Sequence, residues 1–307
     1  MQVHMILPAI LVIKNISRLL NGHSVFLSKN NSMMTNDGKE NILDDYCALS
    51  AATELYKATG KEIYKEYADK RAGQLLNRFS SWGKYNGYWH ADDKDRPFFH
   101  PSDAGMPVIS LINYYPLASE ATQQLIKASV KKSFRFEFSV THEVNNPFGY
   151  SRQLTEDTAG KRRTTFFFPH GSEASPWWQG ENARLGSIAT AARLSAQLFR
   201  DDKKFADSLE SFALDQLNWI LGLNPYDACM MQGKGHNNPQ YGFFGTFEYT
   251  NAPGGIVNGI TSGLNDENDI DFNLSYAMTG KDNDWRWAEQ WLPHAAWFML
   301  AVAVDEK

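Results

Sequence analysis

A run of acidic side chains near the C-terminus has the residue types of a proton-transfer site. Residues 265–273 read Asn-Asp-Glu-Asn-Asp-Ile-Asp-Phe-Asn, and the four carboxylates of this run are those of Asp266, Glu267, Asp269 and Asp271. Like charges this close are costly to ionise together, so one member of the run is expected to keep its proton to a higher pH. A carboxyl that is protonated near neutral pH is what general acid catalysis requires.

Two other interpretations of the acidic run stay open. A solvated acidic loop has the same composition, and so does a calcium-binding loop. The EF-hand form of a calcium loop is excluded, because the chain has no Asp-x-Asp-x-Asp-Gly run followed by a Glu at the twelfth position.

Three sequence blocks precede the acidic run. Residues 217–226 read LNWILGLNPY, which is typical of a helix end stopped by glycine and proline. Residues 232–240 read QGKGHNNPQ, and residues 251–259 read NAPGGIVNG. In this order, and followed by the acidic run, the blocks closely resemble the C-terminal part of the catalytic domain of glycoside hydrolase family 9, which includes many endoglucanases. Residues 44–60 resemble the family as well, so the likeness extends from about residue 41 to the end.

The resemblance implies a fold and a catalytic residue. The family fold is all-α, an (α/α)6 toroid, and its reaction is the hydrolysis of β-1,4-linked glycans with inversion. Aligning residues 270–273 with the family's last motif places the proton donor on Glu267. Asp271 is interpreted as structural, accepting backbone hydrogen bonds that shape the loop. Asp266 and Asp269 either repel the Glu267 carboxylate or are simply solvated.

The resemblance also predicts that the toroid is incomplete at its N-terminus. In the family, the catalytic base belongs to an Asp-Ala-Gly-Asp segment, which does not occur in this chain. The nearest string, residues 102–105, lies out of the family order and is interpreted as a helix N-cap at Ser102 or Asp103. The chain is therefore predicted to be either part of a larger gene product or an enzyme that has lost its base. A noncatalytic carbohydrate-binding protein is the alternative function.

The residues expected to bind substrate come from the same resemblance. Cellulose-cleaving members continue their Asn-x-Pro loop into Pro-His-His-Arg, whereas here residues 238–240 continue into Tyr241, so a long glucan should bind poorly. Residues 98–105 and 285–294 look more like an exo-acting branch that removes glucosamine from chitosan oligosaccharides, and a cationic aminosugar would suit an acidic cleft. The predicted substrate-binding residues are Trp178, Trp177, His100, Asp103, Asn238 and Tyr241. Core packing is the competing interpretation of the tandem tryptophans, and we favour it for Trp177 but not for Trp178.

The elements that must position these residues are predicted to be helices in consecutive hairpins. Apolar residues recur at three- and four-residue spacing over 44–59, 61–79, 103–117, 119–138, 182–199, 203–221, 272–278 and 284–304. The last of these segments contains Pro293 and is expected to kink there. About four hairpins can be counted, and long loops between them would carry the chemistry.

The composition of the chain limits the classes of molecule that it is expected to bind. The chain has 307 residues and a net charge of -5, so neither nucleic acid nor an anionic membrane is an expected partner. Aromatic residues make up 13% of the chain, and their rings could stack on sugar faces, although most are expected in the core. Cys47 and Cys229 are interpreted as reduced core residues. The expected partner is an oligosaccharide substrate, and the resemblance implies no cofactor and no metal.

The N-terminal 40 residues form a poorly defined segment ahead of the predicted toroid portion, residues 41–307. Residues 5–13 are apolar but too short to span a bilayer. Lys14 and Arg18 follow this apolar run, whereas a secretion signal places its basic residues first. Export is therefore not supported, and a chain expressed in this form is expected to be cytoplasmic.

Overall fold

Helices dominate the computed structural model, which describes residues 26, 29–31, 33–35, 37–172, 179–239, 252–273 and 285–304. From residue 42 onward its helices are α1 (Ile42–Thr59), α2 (Glu62–Leu76), α3 (Met106–Tyr114), α4 (Glu120–Thr141), α5 (Asn182–Leu198), α6 (Lys203–Leu221), α7 (Trp285–Ala288) and α8 (Leu292–Ala303). A short 3-10 helix, Tyr115–Leu117, links α3 to α4. The all-α prediction is confirmed, and the hairpin pairs α1–α2 and α5–α6 follow the apolar spacing of the sequence.

Local chemistry sets the ends of the first hairpin. The Asn41 side chain accepts a hydrogen bond from the Leu43 backbone N–H at 2.8 Å, and Asp44 accepts one from the Asn41 N–H at 2.8 Å, which together cap α1. At the other end Gly60 adopts φ 64°, a left-handed conformation that glycine tolerates best and that ends the helix. The chain then turns directly into α2.

The core is built around α5, which is buried over most of its length. It packs against α6, α8 and α3, while α1 packs against α2 and α3. The approach of α3 to α5 depends on Gly105, because a Cβ there would lie 2.1 Å from the Ser187 carbonyl oxygen. A single apolar cluster, which includes Leu49, Leu111 and Leu185, joins these helices.

Among the described residues, three two-stranded antiparallel sheets interrupt the helices, and none of them was predicted from the sequence. They pair β1 (Phe79–Trp82) with β2 (Tyr85–Trp89), β3 (Gln153–Glu156) with β4 (Arg162–Thr165), and β5 (Thr261–Ser262) with β6 (Ile270–Asp271). In the third sheet Thr261 lies opposite Asp271 and Ser262 opposite Ile270. The second and third sheets carry the candidate site.

Several local expectations are corrected. Helix α3 begins at Met106 with Gly105 as its N-cap and no side-chain cap, so neither Ser102 nor Asp103 caps it. Pro293 does not kink a long helix, because it lies in the first turn of α8, where a missing N–H costs no hydrogen bond. Cys47 is exposed, whereas Cys229 is buried as expected; both are free thiols. The predicted helix at 272–278 lies mostly outside the described residues, and its first two residues are not helical.

Candidate functional site

The acidic run forms a tight loop closed by β5 and β6. The Gly263 N–H donates to the Asp269 carbonyl at 2.9 Å, and the Asp269 N–H donates to the Asp266 carbonyl at 3.1 Å. A side chain at position 263 would collide with this turn, since a Cβ there would lie 2.5 Å from the Asp266 carbonyl oxygen. These contacts hold the backbone of the loop in a defined conformation, and this conformation sets the position of each carboxylate.

Asp271 holds the loop to the rest of the molecule. Its Oδ2 accepts a hydrogen bond from the Leu264 N–H at 2.7 Å and forms an ion pair with Arg286. The Arg286 guanidinium is only 3% exposed and also donates to the Ser262 carbonyl at 2.9 Å. The prediction that Asp271 accepts a backbone hydrogen bond and shapes the loop is confirmed by these contacts.

Asp266 and Asp269 are exposed, and their carboxylates accept hydrogen bonds from backbone N–H groups of their own loop. The Asp266 Oδ1 accepts from the Asn268 N–H at 2.9 Å, and the Asp269 Oδ1 accepts from the Ile270 N–H at 2.8 Å. These contacts favour the solvated alternative that the sequence left open for the two residues.

Glu267 reaches from this loop to β4 and to the segment that follows it. Its Oε1 forms an ion pair with Arg163 of β4, and its Oε2 accepts from the His170 backbone N–H at 3.0 Å. The His170 ring is fixed in turn by Ser262, whose Oγ lies 3.2 Å from its Nε2. Burial lowers the pKa of His170, which favours the neutral imidazole. Glu267 thus has a cationic partner rather than the carboxylate neighbour that the acidic run suggested.

A pocket of about 440 Å³ opens beside Glu267. Its lining residues come from the 145–148 loop, β4 and the segment after it, the end of α6 and the acidic loop. They are Asn145, Asn146, Pro147, Phe148, Tyr150, Arg152, Arg163, Thr164, Thr165, Phe166, Phe167, Phe168, Pro169, Trp219, Pro225, Glu267, Asn268 and Ile270. Aromatic rings form much of this wall, and such rings stack on apolar ligand faces.

The aromatic wall is held together by ring contacts. The Tyr150 ring centroid lies 4.6 Å from that of Trp219 and 5.4 Å from that of Phe167. Phe148 packs edge-on against Trp219 at 5.8 Å. These contacts fix the ring positions before any ligand arrives.

A buried hydrogen-bond network supports the wall from behind. The Tyr150 hydroxyl donates to Glu181 at 2.8 Å, and the Gln153 amide donates to the same carboxylate at 3.0 Å. Arg184 completes the network through an ion pair with Glu181 at 3.1 Å. Burial raises the pKa of the Tyr150 hydroxyl well above its ordinary value, so it stays a hydrogen-bond donor.

Three of the predicted substrate-binding residues, His100, Asp103 and Asn238, do not line this pocket. His100 Nδ1 accepts from the Asp103 N–H at 2.8 Å, and Asp103 Oδ1 accepts from the Trp297 indole at 3.0 Å, which places both residues in a cluster beside α8. The Asn238 amide donates to the Cys229 carbonyl at 2.8 Å and to other carbonyls of its own loop. Trp177, Trp178 and Tyr241 lie outside the described residues.

Sequence reasoning missed Arg163 and the aromatic wall. The missed signal is the string Phe166-Phe167-Phe168-Pro169, in which three aromatic residues run directly into a proline. A loop with this much apolar area needs a partner or a ligand to cover it. The contact of Arg163 with Glu267 has no local signal at all, because it depends on the tertiary fold.

The described part of the chain contains neither a candidate metal site nor a candidate membrane-spanning helix. Among those residues, no group of three or more His, Cys, Asp and Glu side chains is arranged to hold a metal ion. Nor does any helix within them combine the length and the apolar character that crossing a bilayer requires.

Comparison of the whole chain with known proteins gives one family match. Residues 29–269 match the family model described as Glycosyl hydrolase family 9. The comparison with curated proteins gives no match.

Solved structures with a similar fold are considerably longer than this chain. A structure of Bacteroides ovatus GH9 is 19% identical to this chain, with a TM-score of 0.50. The match covers 85% of this chain and 40% of the chain in that structure. The endoglucanase CelQ from Clostridium thermocellum, complexed with cellotriose, is 17% identical with a TM-score of 0.49, over 84% of this chain and 38% of its own. The cellulase Cel9M of C. cellulolyticium, in complex with cellobiose, is 19% identical with a TM-score of 0.48, over 85% and 51%. The chain thus spans between 38% and 51% of the length of these three structures.

Proposed function

The chain belongs to glycosyl hydrolase family 9, and from that premise we propose that it acts on β-1,4-linked glycans, with Glu267 as the general acid that protonates the leaving sugar oxygen. The reaction is hydrolysis with inversion, in which a second carboxylate deprotonates the attacking water from the opposite face of the sugar. The chain spans about half or less of the length of these solved structures. For this reason the activity of a whole protein containing this chain is also proposed rather than shown.

The observation that carries the proposal is the position of Glu267 on the edge of an aromatic-walled pocket. Of the four carboxylates in the acidic loop, it alone lines the pocket among the described residues. Asp271 is committed to Arg286, and Asp266 and Asp269 face solvent. A pocket of about 440 Å³ is within the range of small-ligand sites, which is about 300–1,000 Å³.

No second carboxylate that could act as the base lies among the described residues that line the pocket. Glu267 is the only carboxylate among the described lining residues, whereas an inverting enzyme needs a second carboxylate about 6.5–9.5 Å from the first. General acid catalysis alone contributes about 10²–10⁴-fold. We therefore expect this chain by itself to bind β-1,4 oligosaccharides and to hydrolyse them slowly or not at all.

Trp178, Trp177 and Tyr241 remain proposed substrate-binding residues. His100, Asp103 and Asn238 keep that role only if the cleft extends beyond the described pocket, because none of the three lines it. The preference for an aminosugar loses support, since the charged residues lining the described pocket are two arginines and one glutamate.

The test compares binding and turnover in wild type and two variants. Calorimetry with cello-oligosaccharides measures binding, and release of reducing ends measures hydrolysis. Any turnover should disappear in E267Q and persist in D266N, which removes an exposed carboxylate from the same loop. Turnover at an ordinary kcat that requires Glu267 would mean that a base is present and that the chain is a complete enzyme. Binding without turnover is the result expected when the base is missing, and it fits the noncatalytic carbohydrate-binding alternative equally well. The absence of both binding and turnover would refute the proposal.

A further inference from the structure

Two arginines line the pocket, and their hydrogen bonding differs sharply. Arg152 uses both terminal nitrogens inside the fold: Nη1 donates to the Val140 carbonyl at 3.0 Å and to Glu143 at 2.6 Å, and Nη2 donates to Thr164 at 3.2 Å. Its Nε is buried and has no hydrogen-bond partner among the described residues. The side chain is only 7% exposed and holds β3 to β4 and α4. Because its Nη1 and Nη2 groups already donate to atoms of the fold, we assign Arg152 a structural role.

Arg163 has donors to spare. Its guanidinium is 27% exposed, and within the described part of the chain its one partner is the Glu267 carboxylate, reached through Nη2. The Nε and Nη1 groups are therefore available to a ligand in the pocket. A guanidinium offers five N–H donors in a planar fork, which matches the two oxygens of a carboxylate.

A second carboxylate could join Arg163 without displacing Glu267. The protein already contains such an arrangement, because Arg71 binds both oxygens of Glu40, at 2.7 and 2.8 Å, and also Asp45 at 3.1 Å. An ammonium group placed against Arg163 would instead meet a like charge. A neutral hydroxyl would gain weaker hydrogen bonds than an ionised acceptor does.

The rest of the pocket is suited to a sugar ring beside Arg163. Phe166, Phe167 and Phe148 offer apolar faces, and the exposed Asp266 and Asp269 bind their own loop backbone rather than the pocket. Arg163 lines the same pocket as these rings and contacts Glu267, which puts a guanidinium next to the proposed general acid.

We propose that Arg163 determines specificity by binding a carboxylate on the sugar unit that lies against it, so that the pocket prefers an acidic β-1,4-linked glycan, such as one built of glucuronic acid, to a neutral or an amino-substituted one. This inference rests on the proposed glycan-binding function and names its substrate class.

The test uses three oligosaccharides of equal length and linkage that differ in charge: a cello-oligosaccharide, a β-1,4-linked glucuronic acid oligomer and a chitosan oligomer. Calorimetry near neutral pH should show the acidic oligomer binding at least about tenfold more tightly than the neutral one, as charge-assisted hydrogen bonds imply. The chitosan oligomer should bind more weakly than the acidic one.

Variants separate the guanidinium from the general charge of the surface. In R163Q the acidic and neutral oligomers should bind within about twofold of each other, while R163K should keep part of the preference because it keeps the charge without the fork. Lys161 is exposed, directly precedes β4 and does not line the pocket, so K161Q should retain the full preference. Circular dichroism verifies that each variant is folded.

Each outcome has a distinct meaning. Equal affinities, a preference for the neutral or amino oligomer, or a preference that persists in R163Q would overturn this inference and leave the proposed function standing. If none of the three oligomers binds, the proposed function fails and the inference fails with it.

Discussion

Glu267 and Asp271 lie in the same loop and carry the same charge, yet the fold uses them differently. Asp271 is paired with a buried arginine and a backbone N–H, whereas Glu267 reaches the pocket. The motif order of the sequence already assigned these two roles. What it could not contain is Arg163, because a contact between β4 and a loop far along the chain has no signature in local spacing. The charged environment of a site residue comes from the tertiary fold.

The role of Asp271 can be measured with a substitution that changes only charge. D271N keeps an oxygen for the Leu264 N–H but leaves Arg286 without its carboxylate. Because Asp271 is itself 33% exposed, we expect a loss of about 1–3 kcal/mol in the free energy of unfolding. D266N is the control, since Asp266 is exposed, and should change stability by less than about 0.5 kcal/mol. Equal urea-denaturation midpoints for the two variants would contradict the anchoring role.

Glu137 on α4 should make stability depend on pH. It lines a cavity of about 30 Å³ with Phe98, Phe99 and Arg184, and burial raises its pKa from 4.5 to about 7. A pKa raised in the folded state stabilises below the unfolded value and loses that contribution as pH rises through the folded value. We therefore expect up to about 3 kcal/mol to be lost between about pH 4.5 and pH 8.

The Glu137 prediction is tested by the difference between wild type and E137Q. Urea denaturation across this pH range should show a smaller loss of stability in E137Q, because its side chain has no proton to release. E66Q makes the same change at an exposed position of α2 and should follow the wild-type curve. A wild-type curve parallel to that of E137Q would show that Glu137 does not hold its proton.

At the scale of elements, helices were predictable and strands were not. Apolar spacing over several turns predicted helices whose ends mostly differ from the observed ones by a few residues, but the one predicted over 284–304 is two helices, α7 and α8. Strands of two to five residues are too short to show a period of two. One hairpin did leave a signal: Gly83-Lys84 is a two-residue loop between β1 and β2, with Gly83 at φ 55°, which is typical of tight hairpin turns.

The close packing of α3 on α5 yields a prediction with an internal control. G105A would place a methyl group 2.1 Å from the Ser187 carbonyl oxygen, so the two helices must separate, at a cost of about 1–3 kcal/mol in stability. Gly73 lies inside α2 with nothing within 4 Å of its missing Cβ. G73A should therefore stabilise the protein by about 0.5–1 kcal/mol, since alanine loses less entropy in a helix. Urea midpoints that move in the same direction for both variants would contradict this account.

For the molecule as a whole, α8 presents an unusual outer surface. The helix has no charged residue, and its solvent side carries Leu292, 82% exposed, Met299, 69% exposed, and Leu300, 45% exposed. Its opposite side packs on α5 through Phe298 and Ala301. A helix that is apolar all round is normally buried on both sides. The structure buries only one side of α8.

This exposed stripe should make the chain associate with itself or with other apolar surfaces. Contiguous exposed apolar area marks an interaction site or an aggregation liability. The double variant L292K/M299K places two charges on the stripe while leaving Phe298 and Ala301 in the core, so it should lower self-association without loss of helical signal. Leu125 is 58% exposed on the otherwise amphipathic α4, and L125K should leave self-association unchanged. Sedimentation velocity over a range of protein concentrations measures the effect. If the wild-type chain stays monomeric at every concentration and sediments like L292K/M299K, the exposed stripe does not cause self-association and the prediction is wrong.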